Sequence, residues 1–151
     1  MEIKVMNRYS IAEYRETSPH IIISIGDPFD REPAPICEQP ACKGILRLQF
    51  HDWDDKQRIV LERSSSPESK RMVFYSEQQA KQVFDFIQTH INSIQTIICQ
   101  CDAGISRSAG MAAALSKILN GTDAYFFKTY IPNSRVYRLT LNGWMDELEK
   151  K

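Results

Sequence analysis

Two short β-branched runs constrain this chain more than any other feature. HIIISIG, residues 20–26, and TIICQ, residues 96–100, are dense in isoleucine and too short to be buried helices. Such runs read as strands covered on both faces, and strands of that kind sit inside parallel sheets with helices on either side. ILRLQF, residues 45–50, alternates and predicts a strand with one better-buried face. EIKVM, residues 2–6, predicts a fourth, shorter strand.

The connections fit that scheme. Ser10 predicts the cap of a short helix over 11–17. Residues 27–44 carry four prolines and no periodicity, which predicts a long loop of the kind that often serves function. In 56–74, RIVLE fits a strand and RSSSPESKR a mobile polar tip. Ser76 caps a helix, EQQAKQVFDFIQTHI, whose apolar stripe is Val83, Phe84, Phe86, Ile87 and Ile91. An Ala-rich helix follows over 107–119 and ends at Asn120-Gly121. Helices over 123–130 and 134–149 come last, separated by Pro132-Asn133. The expected fold is α/β: a single domain over 1–151 with a central, mostly parallel sheet of about four to five strands flanked by helices. Ligands in such sheets bind at the carboxyl ends of the strands.

Charge narrows the function classes. Lysine plus arginine is 19 and aspartate plus glutamate is 19, so the net charge is zero and a general nucleic-acid binder is not expected. No apolar run has the ~20 residues of a membrane helix. The first sixteen residues, MEIKVMNRYSIAEYRE, have no apolar core of a signal peptide. Four cysteines without an export signal are expected to stay reduced, which places the chain in the cytoplasm.

The chemistry concentrates in residues 96–110, TIICQCDAGISRSAG. A buried strand ends, a loop opens with Cys101 and closes with Arg107, and a helix begins. A loop that wraps into a helix N-terminus points successive N–H groups inward and makes an anion nest reinforced by the helix dipole. Asp102, Ala103, Gly104, Ile105, Ser106 and Arg107 are the residues of that cradle. Gly104 permits a backbone conformation that a Cβ obstructs. Arg107 presents a fork to two phosphate oxygens at once, which lysine cannot do. The positive field at the loop's base favours thiolate over thiol at Cys101. A thiolate there faces a bound phosphate monoester for in-line attack, and Ser108 is close enough to hydrogen-bond it.

CDAGISRS resembles the signature loop of the cysteine-dependent protein tyrosine phosphatases, C-x5-R-[ST], and is most similar to the compact dual-specificity branch and its bacterial and phage relatives. The strand, acidic loop, helix, strand order over 45–100 and the PNSRVYRL segment extend the resemblance to about two-thirds of the chain. It implies hydrolysis of phosphotyrosine, with or without phosphoserine and phosphothreonine, on a phosphorylated protein or peptide. The intermediate is a phosphocysteine, and neither metal nor other cofactor is expected. It also implies an aspartate that protonates the leaving oxygen and then activates water. The candidates are Asp52, Asp54 and Asp55 in HDWDD; Asp52 is favoured because it ends the strand in an F-x-D pattern.

One departure bears on activity. The family usually has histidine before the nucleophile, and here that residue is Gln100. Glutamine hydrogen-bonds but carries no charge. This keeps a second reading open, a weak or inactive pseudo-phosphatase that binds phosphate without turnover. Sulfur transfer or arsenate reduction is a third, and it fits less well: rhodanese-type enzymes lack the serine after the arginine, and arsenate reductases carry the motif near the N-terminus. The loop interior has no basic residue, which counts against a phosphoinositide.

The remaining residues have readings of both kinds. Trp53 walls the pocket or packs at the domain edge. Cys37 and Cys42 lack a second pair at metal spacing and read as incidental thiols. Cys99 reads as core, His51 as a surface residue, and His20 and His90 as structural. SKRM, 69–72, reads as a solvated face or a greeting for an anionic substrate.

Overall fold

The structure is a computed structural model and describes residues 1–29, 32–64 and 71–150. Ten elements follow one another: β1 (Glu2–Met6), α1 (Arg8–Glu13), β2 (His20–Gly26), β3 (Cys42–Gln49), α2 (Asp55–Glu62), α3 (Glu77–His90), β4 (Thr96–Gln100), α4 (Arg107–Asn120), α5 (Ala124–Thr129) and α6 (Ser134–Glu149). The strands form one four-stranded sheet in the order β1-β4-β2-β3, parallel throughout. The expected α/β class, the parallel sheet and its flanking helices are all present.

The two isoleucine-rich strands are central, and alternation of their side chains builds two cores. Ile21, Ile23 and Ile25 of β2 and Ile97 and Cys99 of β4 face α3 and α4, together with Val83, Phe84, Ile87, Met111 and Leu115. Ile22 and Ile98 face the other way and pack on Ile11 of α1 and Ala34. Edge strand β3 is half-covered: Leu48 is buried while Lys43, Ile45, Arg47 and Gln49 on the alternate face are exposed.

Helix α4 explains its own composition. Every residue from Arg107 to Ser116 is buried, so the helix is covered all round rather than along one stripe. Alanines let it approach the sheet on one side and α6 on the other. At Gly110 an added Cβ would lie 2.7 Å from the carbonyl oxygen of Asn133, a backbone atom that cannot swing aside. Gly121 ends the helix at φ 82°, in the left-handed region. On the far side of α3, Phe84 meets Trp144 of α6 edge to face at 4.8 Å between centroids.

Three local expectations are corrected. The first helix spans Arg8–Glu13 rather than 11–17, and its cap is Asn7, whose side chain accepts from the Ser10 N–H; Ser10 lies inside it. The 27–44 loop ends early, because β3 already begins at Cys42 and extends only to Gln49, one residue short of the expected end. RIVLE is helical, not extended. Asp54 and Gln57 close a capping box at the start of α2, and that cap outweighs the strand preference of the adjacent Ile59 and Val60, which stay exposed. The polar tip lies mostly outside the described residues, as do Ser69 and Lys70 of the basic run. No described helix is long and apolar enough to cross a membrane.

The edge strand β1 is pinned by a charged cluster. Lys4 Nζ donates to Tyr14 Oη at 2.6 Å and to Glu16 Oε1 at 2.8 Å. These contacts lower the Glu16 carboxyl from 4.5 to about 2, against the opposing effect of burial. A carboxyl lowered on folding stabilises the native state above its unfolded value and loses that contribution as pH falls through the folded one. Stability should therefore decline between pH 4.5 and about 2 in part through this group. Glu16→Gln should flatten that segment of the curve in acid titrations followed by circular dichroism. Phe84→Ala should cost about 3–5 kcal/mol in denaturant unfolding, through the cavity it opens against Trp144.

Candidate active site

The loop between β4 and α4 is fixed from below by the N-terminal strand. The Cys101 N–H donates to the Met6 carbonyl at 3.2 Å, and the Arg8 N–H donates to the Asp102 carbonyl at 3.1 Å. Gly104 adopts φ 69°, and a Cβ there would lie 2.8 Å from the backbone nitrogen of Asn7. Both the conformation and the close approach require glycine.

Within that loop the chemistry-bearing groups converge. The Cys101 sulfur is buried, 3.0 Å from Ser108 Oγ and 3.3 Å from the Gly104 nitrogen, which donates to it. The backbone N–H of Gly104 and the hydroxyl of Ser108 thus both reach one sulfur. Ser106 occupies the N-cap position of α4 without a side-chain cap bond, whereas α1, α2, α3 and α6 are all capped by side chains. The first turn of α4, like that of α5, thus receives no side-chain cap.

Arg107 is the first residue of α4 and is buried. Its Nη1 donates to Asp27 Oδ1 at 2.7 Å and to the Phe50 carbonyl at 2.8 Å. Its Nε is buried and has no partner among the described residues. The guanidinium is tied down at one end, and the edge carrying Nε keeps its capacity to bind an oxyanion. Asp27 was not singled out in the sequence. Its signal is the Gly26-Asp27-Pro28 turn that ends a central strand beside the loop.

The three acidic candidates separate cleanly. Asp52 Oδ1 accepts from Ser106 Oγ at 2.7 Å and from Asn133 Nδ2 at 2.9 Å, so Asp52 meets the Cys101–Arg107 loop directly. It lines a cleft of ≈ 260 Å³ with Ser106, Ile131 and Asn133. Asp54 is occupied in capping α2. Asp55 pairs with Arg135 at 2.6 Å and Arg138 at 2.8 Å, and the two guanidiniums, Arg138 foremost, hold its carboxyl below the usual range. A carboxyl held ionised is a poor proton donor. Trp53 packs edge to face on Phe74 at 6.5 Å, and His51 Nδ1 accepts from the Val73 N–H at 2.9 Å, so both brace the loop that carries Asp52.

Asn133 is the residue the sequence underplayed. Its side-chain oxygen caps α6 through the Val136 N–H, its amide donates to Asp52, and its backbone N–H donates to the Ser106 carbonyl. One buried residue thereby joins α6, the acidic loop and the Cys101–Arg107 loop. Other loop residues point elsewhere. Asp102 faces Arg8 at 3.8 Å, Ala103 is exposed, and Ile105 is half-exposed with its carbonyl accepting from the Ile131 N–H.

Gln100 is fully buried beneath the loop. Its Oε1 accepts from Ser24 Oγ at 2.5 Å, and its Nε2 has no partner among the described residues. Burial pushes the neighbouring Cys99 thiol up, which keeps it neutral in the core.

No protein-family model matches the sequence, and no curated protein matches it. Solved structures do match over nearly the whole chain. Human tyrosine phosphatase-like serine/threonine/tyrosine-interacting protein superposes with a TM-score of 0.61 at 16% identity, covering 97% of this chain and 93% of that one. Human DUSP28 gives 0.58 at 10% identity, covering 99% and 95%. A mouse putative dual specificity phosphatase complexed with zinc tungstate gives 0.57 at 12%, covering 95% and 82%. At these identities the likeness is one of architecture: this chain has the fold of the dual-specificity phosphatases.

Proposed function

We propose that this chain is a cysteine-dependent phosphatase acting on phosphorylated protein or peptide, phosphotyrosine and also phosphoserine or phosphothreonine. The observation that carries the reading is the convergence of Ser108 Oγ and the Gly104 N–H on the Cys101 sulfur, at the base of a loop that runs into the uncapped start of α4. The fold supports it, and the phosphate loop lies where parallel sheets place their ligands, at the carboxyl end of a central strand.

The geometry supports the following roles. The phosphate binds to loop N–H groups and to the free edge of the Arg107 guanidinium. The Cys101 thiolate attacks phosphorus, an S–P bond forms, and the ester P–O bond breaks. Asp52 in its acid form gives its proton to the leaving oxygen; its two structural bonds both end on Oδ1, which leaves Oδ2 for proton transfer. The resulting carboxylate then takes a proton from water, which attacks the phosphocysteine and releases phosphate and thiolate. Ser108 stabilises the sulfur by hydrogen bonding as it leaves. Asp27 and the Phe50 carbonyl orient the arginine.

A second reading has its own observation. Gln100 stands where related loops carry histidine, and it spends its oxygen on Ser24 rather than on the loop. Under that reading the loop binds phosphate groups without turning them over. One of the similar structures is itself described as phosphatase-like and interacting.

Hydrolysis of p-nitrophenyl phosphate, with EDTA present, separates the two. Wild type should turn over, and Cys101→Ser should be inactive. Asp52→Asn should lose about 10²-fold or more on an aryl phosphate with a poor leaving group and much less on p-nitrophenyl phosphate, whose leaving group needs no proton. Asp55→Asn should keep the chemistry and lower the unfolding free energy by about 1–3 kcal/mol, because it removes charge-assisted bonds to two arginines. Folded wild type that binds vanadate and hydrolyses nothing decides for the binding module.

A further inference from the structure

The sheet ends in two edges, and they are not alike. On β3 the exposed positions carry Lys43 and Arg47, like charges that oppose pairing with another strand of the same kind. On β1 stands one charge of each sign, Glu2 and Lys4. The Glu2 N–H donates to the Gln95 carbonyl, and the Met6 carbonyl accepts from the Cys101 N–H, so residues 2, 4 and 6 turn their backbone groups toward β4. The N–H and C=O groups of Ile3 and Val5 therefore point off the sheet. Among the described residues no backbone bond closes them on that side.

A cleft of ≈ 440 Å³ runs along all five residues of this edge. Its walls belong to opposite faces of the sheet. Tyr14 stands on the face of the smaller core, where Lys4 Nζ donates to its hydroxyl and to Glu16. Phe126 and Tyr130 stand on the other face, in the core against which Ile3 and Val5 pack. Tyr125 lies beside both, with ring centroids 5.1 Å from Phe126 and 6.4 Å from Tyr130, yet it is 61% exposed. Open backbone groups beside an exposed aromatic ring make a surface for another strand rather than a protected edge.

We propose that β1 is a self-association edge, on which a second copy of this chain adds its own β1 antiparallel, with Ile3 opposite Ile3. The charges select both this occupant and this register. In it the outward N–H and C=O of each Ile3 meet those of the other, and Glu2 of each copy stands opposite Lys4 of the other. Lys4 is already held by Tyr14 and Glu16 and lies 3.6 Å from its own Glu2, so its ammonium is fixed beside the seam. The two neighbouring registers that keep the outward groups paired set Lys4 opposite Lys4, or Glu2 opposite Glu2, and like charges directly opposite are destabilising. The two-fold axis of an antiparallel pair is normal to the sheet, so the same faces meet across the seam. Ile3 then packs on Ile3, and the two α5 helices with their Tyr125 rings approach each other above it. None of this depends on the chemistry of Cys101.

Sedimentation equilibrium over a range of concentrations is the test. A seam of one short strand and one short helix belongs to the small, transient class of interface, so half-association is expected at ~10⁻⁵–10⁻³ M. Across that range the mass should rise from 17.4 kDa toward its double. By hydrogen exchange, the Ile3 and Val5 amides should be open in dilute protein and become protected as concentration rises. Glu2→Lys should weaken association by roughly tenfold, because symmetry turns two attractive pairs into two repulsive ones. Glu2 is exposed, so this variant keeps the fold. Ile3→Pro removes an N–H that points away from β4 and should abolish association while the bonds to β4 remain. A thermal melt verifies the fold of each variant. Wild type that stays at 17.4 kDa up to ~1 mM overturns the proposal. So does association that is unchanged in Glu2→Lys, or that survives in folded Ile3→Pro, since it then uses another face. Ile3 and Val5 amides already protected in dilute monomer show an edge closed by other means, and overturn it as well.

Discussion

The burial of α4 on every side is the constraint on which the rest depends. A helix that starts from the end of a central strand and is wedged between sheet and α6 cannot slide or tilt. The loop that joins strand to helix is therefore held at both ends. Its middle is held as well, because Gly104 lies against Asn7 and leaves no room for a side chain. Rigid placement of a thiol, a helix N-terminus and a guanidinium is what an anion site needs, since binding then spends nothing on ordering the protein. The alanines and Gly110 that look featureless in the sequence are the residues that make this wedge fit.

Asn133 extends the same rigidity to the other side of the site. It is nearly fully buried, and each of its polar groups is used in a different element. A buried amide whose oxygen and nitrogen are both bonded favours one arrangement, because a shift leaves a polar group unpaired. The acidic loop is consequently docked on the Cys101–Arg107 loop through Asp52 and braced from behind by the ion pairs of Asp55 with Arg135 and Arg138 of α6. Three neighbouring aspartates thus have three different employments: one at the site, one in a helix cap, and one in a pair of ion pairs.

Much of this was legible in the chain. The isoleucine runs identified strands covered on both faces, and the alternation of ILRLQF identified a strand with one better-buried face. The C-x5-R-S spacing located the loop, and the F-x-D position picked out the aspartate that contacts it. What was not legible depended on partners distant in sequence. Asp27 becomes interesting only once the fold brings it to Arg107, eighty positions later. Asn133 announces a helix cap but not its bond to Asp52. The helix at α2 was misread because a cap formed by Asp54 and Gln57 decided against the local β preference of two residues. The short first helix shifted for a similar reason, with Asn7 rather than Ser10 supplying the cap.

The placement of β1 has a consequence for how the molecule comes into being. Among the described strands its partner is β4, with Glu2 opposite Thr96 and Met6 opposite Gln100. A chain leaving the ribosome presents β1 well before β4 and must hold it unpaired until residues 96–100 have been made. Parallel pairings between distant segments form slowly, since the loop must close before any contact rewards it. Yet Met6 and Asn7 supply the floor against which Cys101 and Gly104 are set. The thiol is thus seated only when this earlier strand docks against the later one, so a nascent or partly folded molecule carries Cys101 and Arg107 without the fixed loop between them.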